Sequence, residues 1–178
     1  MESFELFEKN WALVTAGTME RFNCCTIGWG GMGTLWNRPV VTVYVHPARY
    51  TRTFLTEQAY FTVSFFPERC KKALGLLGSR SGRDGDKIAA SGLTPQPMGP
   101  GVGYAEAELS FLCRKLYAHP FDRDALPEEL RAYYRDHPKA FPPDENGDWQ
   151  PHWAFIGEVE QILDRRESNE GKGENSDD

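Results

Sequence analysis

The chain has 178 residues, 40% of them hydrophobic and 13% aromatic, and its formal net charge is -6. This is the length of one domain, with enough apolar residues to bury a core without disulfide bonds. Five carboxylates and one lysine in residues 167–178 supply -4 of that charge, and the near-neutral remainder has no lysine- or arginine-rich run, which argues against a nucleic-acid-binding protein.

The first eleven residues, MESFELFEKNW, contain three glutamates and no long apolar run. We expect neither a secretory signal nor a membrane span here, and the expected location is the cytoplasm. At the other end, residues 166–178 are polar and charged and contain no apolar side chain. We expect a disordered acidic tail there, following a single folded domain over residues 1–165.

Four strands are predicted in the first half of the chain, from short runs rich in valine, threonine and aromatic residues. They cover residues 11–16, 22–29, 40–46 and 60–66. A helix of two to three turns should follow the third strand, with Pro47 at its first position. A second helix is predicted over residues 67–77, where Gly78 would close it.

Two long strands and two helices are predicted in the second half. Residues 104–117 alternate strictly between apolar and polar side chains, which indicates one half-buried strand, and residues 152–163 follow the same pattern. The helices are predicted over residues 87–91 and 127–135. Because most connections are too short for helical crossovers, the fold class should be mainly β: an antiparallel β-barrel with peripheral helices.

A polar insertion separates the two long strands. We call residues 121–151 the flap; it contains five prolines and the aromatic residues Tyr133, Tyr134, Phe141 and Trp149. Such an insertion often covers a functional site, although a surface segment that packs on its own aromatic cluster would explain the composition equally well.

Cysteine and histidine are present without the spacing of a metal site or a nucleophile. Cys24, Cys25, Cys70 and Cys113 form no CxxC pair, so we expect free thiols, and the neighbours Cys24 and Cys25 should point to opposite faces of a strand. The four histidines show no ligand spacing, and no GxSxG motif is present. Hydrolytic catalysis by the protein's own side chains is therefore not predicted.

The segment Gly28-Trp29-Gly30-Gly31-Met32-Gly33 fits the GxGxxG pattern of dinucleotide-binding proteins. That mechanism needs a helix directly after the glycines, whereas here another strand follows after six residues. We interpret the glycines as a broad hairpin connection, or as backbone that lies close to a flat ligand. Trp29 and Trp36 beside the loop favour an aromatic, hydrogen-bonding heterocycle.

Two basic segments could hold an anion. In residues 46–53 an arginine, two threonine hydroxyls and the N–H groups of a helix start together suit a phosphate monoester, although a solvated basic helix start is the alternative. Residues 79–87, SRSGRDGDK, carry three cations whose positions the two aspartates could fix by hydrogen bonds. Taken alone, that loop could equally be a solvated turn.

In order, the segments FNCCTIGWGGMGTLW, PVVTVYVHPARYTRTFL, YFTVSFF, GSRSGRDGDK, AELSFLCRKLY and HWAFIGEVEQIL closely resemble the flavin reductase-like, FMN-binding split-barrel proteins. Flavoredoxins and NAD(P)H:flavin oxidoreductases belong to this family. The resemblance extends from about residue 11 to residue 163, and the ordered set of segments is more specific than any one of them.

The resemblance implies a homodimer of FMN-binding split barrels, with one FMN near each subunit interface. Residues 23–30 would lie along the isoalloxazine ring and the ribityl chain, residues 49–51 would hold the phosphate, and Lys87 would reach the flavin. The implied cofactor residues are Asn23, Cys24, Cys25, Thr26, Gly28, Trp29, Gly30, Arg49, Tyr50, Thr51, Arg83, Asp86, Lys87 and Phe155. His152 and Trp153 are further candidates beside Phe155, and His119 is a weaker one.

The implied function is an FMN-dependent oxidoreductase that passes hydride or electrons from NADH or NADPH to a flavin, a protein or a small molecule. No catalytic side chain or metal is then required, because the flavin carries the chemistry. The alternative is a non-enzymatic electron carrier or sensor of the flavoredoxin type. A haem-binding barrel is a third possibility, but no histidine stands out as an axial ligand.

Overall fold

Antiparallel strands form the framework of the molecule. In the computed structural model, which describes residues 2–166, they are β1 Ala12–Thr18, β2 Arg21–Ile27, β3 Gly30–Leu35, β4 Arg38–Val45, β5 Tyr60–Phe65, β6 Pro95–Met98, β7 Gly101–Tyr104, β8 Leu109–Pro120 and β9 Trp153–Asp164. Seven of them form one sheet in the order β2-β1-β5-β8-β9-β4-β3, and β6 pairs with β7 in a separate hairpin. The predicted class, mainly β with peripheral helices, is confirmed.

The sheet curls around a hydrophobic interior to which six strands contribute, all except β3. A second cluster lies on the other face of β1 and β2, beneath the helix at residues 71–79. Cys25 belongs to the first cluster and Cys24 to the second, as the alternation of a strand requires. All four cysteines are buried and free.

Five α-helices and one short 3₁₀ helix, Glu68–Cys70, lie around the sheet in the described part of the chain. The α-helices are α1 Glu2–Glu8, α2 Thr51–Glu57, α3 Lys71–Ser79, α4 Lys87–Ser91 and α5 Glu128–Asp136. The boundaries of α4 and α5 match the predictions closely, whereas α1 was not predicted. Pro47 does not begin α2, because residues 46–49 first form a turn in which Arg49 N–H donates to the His46 carbonyl at 3.0 Å. Similarly, Gly78 lies inside α3 and does not close it.

The predicted single strand over residues 104–117 is two strands. β7 ends at Tyr104, the chain turns, and β8 begins at Leu109. Residues 109–113 are all buried, because the interior covers one face of β8 while β7 packs against the other, where a Cβ on Gly101 would lie 3.1 Å from Leu112. Alternation therefore does not describe burial along this part of β8.

The glycine-rich segment is mostly strand and not a hairpin connection. Gly30–Leu35 pairs with β4 over its whole length, and the actual hairpin turn is formed by Trp36 and Asn37, both with positive φ. Gly30 is required by packing, since a Cβ there would lie 2.4 Å from the ring of Phe7 on α1.

The predicted acidic tail over residues 166–178 lies outside the described residues, apart from Arg166. Among residues 2–166, no helix combines the length and the apolar character needed to span a membrane.

Candidate functional site

Two adjoining cavities lie between β2, the turn after β4, the end of α3 and the flap. The first, which we call the aromatic cleft, has a volume of about 140 Å³ and is lined by Cys25, Thr26, Ile27, Gly28, Trp29, Tyr44, Val45, His46, Arg49, Ala140, Phe141 and His152. The second, the cationic cavity, has about 110 Å³ and is lined by Asn23, Cys25, Ala48, Arg49, Tyr50, Thr51, Ser79, Arg80, Ser81, Gly82 and Lys87. Because Cys25 and Arg49 line both, the two cavities adjoin each other.

The cationic cavity has three positively charged side chains in its wall and no carboxylate: Arg49, Arg80 and Lys87. Lys87 is only 5% exposed, and its ammonium donates to the carbonyl oxygens of Leu77 at 3.0 Å and Arg80 at 3.1 Å. Within residues 2–166 it has no acidic partner. Burial accordingly lowers the pKa of Lys87. A buried cation held only by neutral acceptors favours a bound anion.

Two other contacts shape the same cavity. The Arg49 guanidinium donates to the carbonyl oxygen of Gly78 near the end of α3, which fixes the arginine between the two cavities. The side-chain amide of Asn23 donates to the Thr51 hydroxyl at 3.1 Å, and both residues are buried. Gly82 must lack a side chain, because a Cβ there would lie 2.3 Å from the Asn23 side-chain oxygen. Asn23 thereby brings β2, α2 and the 79–87 loop together.

The flap covers the aromatic cleft with a cluster of rings. Trp29 is 44% exposed, and its ring centroid lies 4.8 Å from His152, 5.9 Å from Phe141 and 6.4 Å from Tyr133. Tyr134 is buried behind them, and its hydroxyl lies 2.8 Å from Nδ1 of His152. The flap therefore packs on its own aromatic cluster and also contributes Ala140 and Phe141 to the wall of the cleft.

Two histidines of the cleft wall are neutral. Burial lowers the pKa of His46 to about 4 and that of His152 to about 3. His46 accepts the Ala48 N–H at Nδ1 and donates from Nε2 to the Gln150 carbonyl oxygen, at 3.2 and 3.1 Å. At neutral pH the aromatic cleft therefore carries one charge, that of Arg49, at its junction with the cationic cavity.

Nine of the fourteen cofactor residues predicted from the sequence line these two cavities: Asn23, Cys25, Thr26, Gly28, Trp29, Arg49, Tyr50, Thr51 and Lys87. Their segments are distant in sequence, and the fold brings them together. The hydroxyl of Thr26 is already used, since it donates to the Leu74 carbonyl oxygen at 2.6 Å. The hydroxyl proton of Thr26 is therefore not available to a ligand, whereas its oxygen can still accept a hydrogen bond.

The other five predicted residues are not brought into either cavity, and for three of them the cause is packing. Cys24 points into the second hydrophobic cluster, and Phe155 is fully buried in the interior, 6.1 Å from Trp153. Gly30 is held against Phe7. His119, the weaker candidate, also lies outside, exposed near Tyr117.

The remaining two belong to the 79–87 loop. Arg83 lies over the ring of Tyr50, 4.4 Å from its centroid, and Arg80 takes the place in the cationic cavity that was expected for Arg83. Asp86 does not fix a cation: its carboxylate caps α4 by accepting the Ala89 N–H at 3.0 Å. The role predicted for the aspartates of this loop is therefore wrong for Asp86.

Several wall residues were not predicted as ligand residues: Tyr44, His46, Ser79, Arg80, Ser81, Ala140 and Phe141. A signal existed for the serines and Arg80, which lie in the basic loop already identified. The flap residues had only their aromatic composition as a signal, because their place over the cleft depends on contacts distant in sequence.

Comparison with known proteins gives a family for this architecture. The family described as "Flavin reductase like domain" matches residues 4–174. A search of curated protein sequences found no match.

Solved structures share the fold, and several of them are flavin proteins or split barrels. An FMN-binding protein from Thermus thermophilus with bound 1-cyclohex-2-enone is 24% identical, with a TM-score of 0.64 over 87% of this chain and 70% of that one. Flavoredoxin from Methanosarcina acetivorans is 20% identical, with a TM-score of 0.64 over 87% and 68%. Nitrilotriacetate monooxygenase component B from Bacillus cereus is 19% identical, with a TM-score of 0.63 over 86% and 68%.

Proposed function

The chain belongs to the flavin reductase-like family, and on that basis we propose that it binds FMN and passes hydride or electrons from NADH or NADPH to a flavin, a protein or a small-molecule acceptor. One observation carries the proposal: a cavity lined by three cationic residues and no carboxylate adjoins an aromatic cleft, and the two share Cys25 and Arg49 in their walls. FMN has the matching form, a phosphomonoester joined by a short chain to a flat aromatic ring.

The residues fit this cofactor chemically. Arg49, Arg80 and Lys87 would neutralise a phosphate dianion, and the Thr51 hydroxyl and the serines of residues 79–81 would add neutral donors. The backbone of residues 26–28 would lie along the ring, because it lines the cleft between Trp29 and Arg49. FMN, when bound, supplies the hydride and electron chemistry, while the protein positions it and excludes water.

We propose that the hydride donor, NADH or NADPH, also binds at the aromatic cleft. An uncharged, largely aromatic surface suits the planar ring of a nicotinamide, and the neutral His152 with Trp29 and Phe141 offers one. The Thermus thermophilus relative holds 1-cyclohex-2-enone in one structure and p-hydroxybenzaldehyde in another. Both are small conjugated carbonyl compounds, which supports a small planar acceptor.

One observation favours the second candidate, an electron carrier of the flavoredoxin type. The aromatic cleft holds about 140 Å³ with the flap in place, whereas small-molecule sites usually have about 300–1,000 Å³. A carrier needs no room for a nicotinamide above its flavin, since electrons reach it from a partner protein. The flap position therefore bears directly on the choice between the two candidates.

We also propose a homodimer. β3 is an edge strand of the sheet, and it presents Met32, Leu35 and the following Trp36 to solvent at 40%, 36% and 58% exposure. Exposed apolar side chains on an unpaired edge are typical of a surface that a second subunit covers. Light scattering combined with gel filtration measures the mass directly, and a monomer at micromolar concentration would contradict the dimer.

Anaerobic stopped-flow spectroscopy tests the proposed function. The purified protein, loaded with FMN, is mixed with NADH or NADPH while the flavin absorbance is followed. Rapid bleaching by either nucleotide is the expected result. A flavin-loaded protein that reacts with neither nucleotide would favour the electron carrier, and a protein that retains no FMN would contradict both candidates.

A further inference from the structure

His46 occupies a position between the two halves of the site. It follows the last residue of β4, is 4% exposed, and lies at the start of the turn over residues 46–49. One side of its ring faces this turn and the other faces the flap, where Phe141 lies 5.6 Å away between ring centroids. No other histidine in the described part of the chain lines the cleft while also belonging to the turn that carries Arg49.

The two ring nitrogens of His46 have fixed and different roles. The backbone N–H of Ala48 can only donate, so Nδ1, 3.2 Å away, must be the unprotonated acceptor. The ring proton is then on Nε2, which donates to the carbonyl oxygen of Gln150 at 3.1 Å. Only one neutral tautomer satisfies both bonds, and the other neutral tautomer would satisfy neither.

Each bond supports a different part of the site. The Nδ1 bond, together with the bond from Arg49 N–H to the His46 carbonyl, fixes the turn that delivers Arg49 and Thr51 to the cationic cavity. The Nε2 bond holds the flap at Gln150, whose side-chain amide in turn donates to the Asp144 carboxylate at 2.8 Å.

We propose that His46 is a positioning residue that couples the two cavities: an anion held by the turn stabilises the closed flap, and the closed flap stabilises the anion-holding turn. Such coupling is reciprocal, because the affinity change that each event causes in the other is the same. The identification of that anion as the phosphate of FMN rests on the proposed function; the coupling itself requires only an anion in the cationic cavity.

Two substitutions separate the two bonds. In His46→Asn the side-chain oxygen still accepts the Ala48 N–H, as asparagine commonly does two residues along a turn, but the side chain is too short to reach Gln150. In His46→Phe the ring remains and both hydrogen bonds are lost. His119→Asn is the matched control, since His119 is exposed and lies outside both cavities.

The experiment measures tryptic cleavage of the flap at Arg135 and Lys139, both exposed, alongside FMN and riboflavin affinities from fluorescence quenching. In the wild-type protein and His119→Asn, FMN should slow flap cleavage and riboflavin should slow it less. In His46→Asn, FMN affinity should stay within about threefold, while FMN should no longer protect the flap. In His46→Phe, FMN affinity should fall about tenfold and protection should also be lost.

Protection of the flap by FMN in His46→Asn, equal to that of the wild type, would overturn the coupling. If His46→Phe does not fold, His46→Asn alone decides the question, because it retains the turn. If the wild-type protein binds no FMN, the proposed function fails, and inorganic phosphate at millimolar concentration then serves as the anion in the same cleavage assay. Absence of wild-type protection by phosphate would in that case contradict the coupling.

Discussion

The side-chain amide of Asn23 donates a hydrogen bond of 3.1 Å to the hydroxyl of Thr51, and both side chains are buried at the wall of the cationic cavity. Because the Thr51 oxygen accepts from Asn23, its own proton is available to another acceptor. A phosphate oxygen in the cavity would be such an acceptor. Asn23 therefore lines the cavity and also orients the Thr51 hydroxyl toward a ligand.

Replacement of Asn23 by leucine should weaken FMN binding by about 3- to 10-fold, the effect of losing one oriented hydrogen bond. Riboflavin, which has no phosphate, should bind with unchanged affinity. Fluorescence quenching titrations with both flavins measure the difference. An equal loss for FMN and riboflavin would show that Asn23 acts only on the general structure of the site.

Lys87→Met should reduce FMN affinity by about 10- to 100-fold, since a charge-assisted hydrogen bond contributes about 1.5–3 kcal/mol. Without FMN, the variant should be at least as stable as the wild type, because a buried cation with no acidic partner among residues 2–166 has been removed. Lys72→Met on the exposed face of α3 is the control and should change neither property. Thermal melting with and without FMN measures both effects, and a large loss of stability without FMN would contradict the charge argument.

Phe141→Ala should enlarge the aromatic cleft and accelerate reduction of the bound flavin by NAD(P)H several-fold, because the phenyl ring forms part of the cover over the cleft. Leu130→Ala, at an exposed flap position on α5, is the control. Stopped-flow traces at several nucleotide concentrations separate binding from hydride transfer. A rate that is unchanged, or lower, would mean that the flap does not restrict access.

The stability of the protein should decrease as the pH falls from about 6.5 toward 4. His46 and His152 have pKa values lowered to about 4 and about 3 in the folded state, whereas unfolded histidine titrates near 6.5. Between these pH values the unfolded chain binds more protons than the folded chain, so acid favours unfolding. At pH 5 each histidine lowers the free energy of unfolding by about 2 kcal/mol.

Urea unfolding at pH 7 and pH 5 checks this sign and size. His152→Gln should show a smaller pH dependence than the wild type. Greater stability at pH 5 than at pH 7 would contradict the lowered pKa values of His46 and His152 in the folded protein.

Local sequence indicated two of the segments that line the cationic cavity, residues 46–53 and 79–87, as possible anion sites. That Arg49, Thr51 and Lys87 share one site was implied only by the resemblance to the flavin reductase-like family. The cover of the cleft depends on contacts such as that between His46 and Gln150, which are 104 residues apart in the chain. The hydrophobic periodicity of a sequence does not predict a contact between residues so far apart in the chain.

The predicted cofactor residues that lie outside both cavities do so because of contacts between segments distant in sequence or because of the path of the loop. The alternating pattern places Phe155 on one face of β9. Which face of β9 points into the interior depends on how the strand pairs with β4 and β8, and the sequence pattern does not show this pairing. Gly30 was attributed to a ligand because the packing of Phe7 from α1 against it could not be read from the sequence. Arg80 and Arg83 are the same residue type in the same loop, so the sequence does not distinguish them. The path of the loop places Arg80 at the cavity and Arg83 over the ring of Tyr50.

Parallel titrations of the wild-type protein with FMN and riboflavin isolate the phosphate that the cationic cavity is proposed to hold, because the two ligands differ only in that group. We expect FMN to bind at least about 100-fold more tightly, a difference of roughly 2.7 kcal/mol or more, and this difference to shrink in Lys87→Met. Equal affinities for the two flavins, or binding of neither, would contradict this expectation.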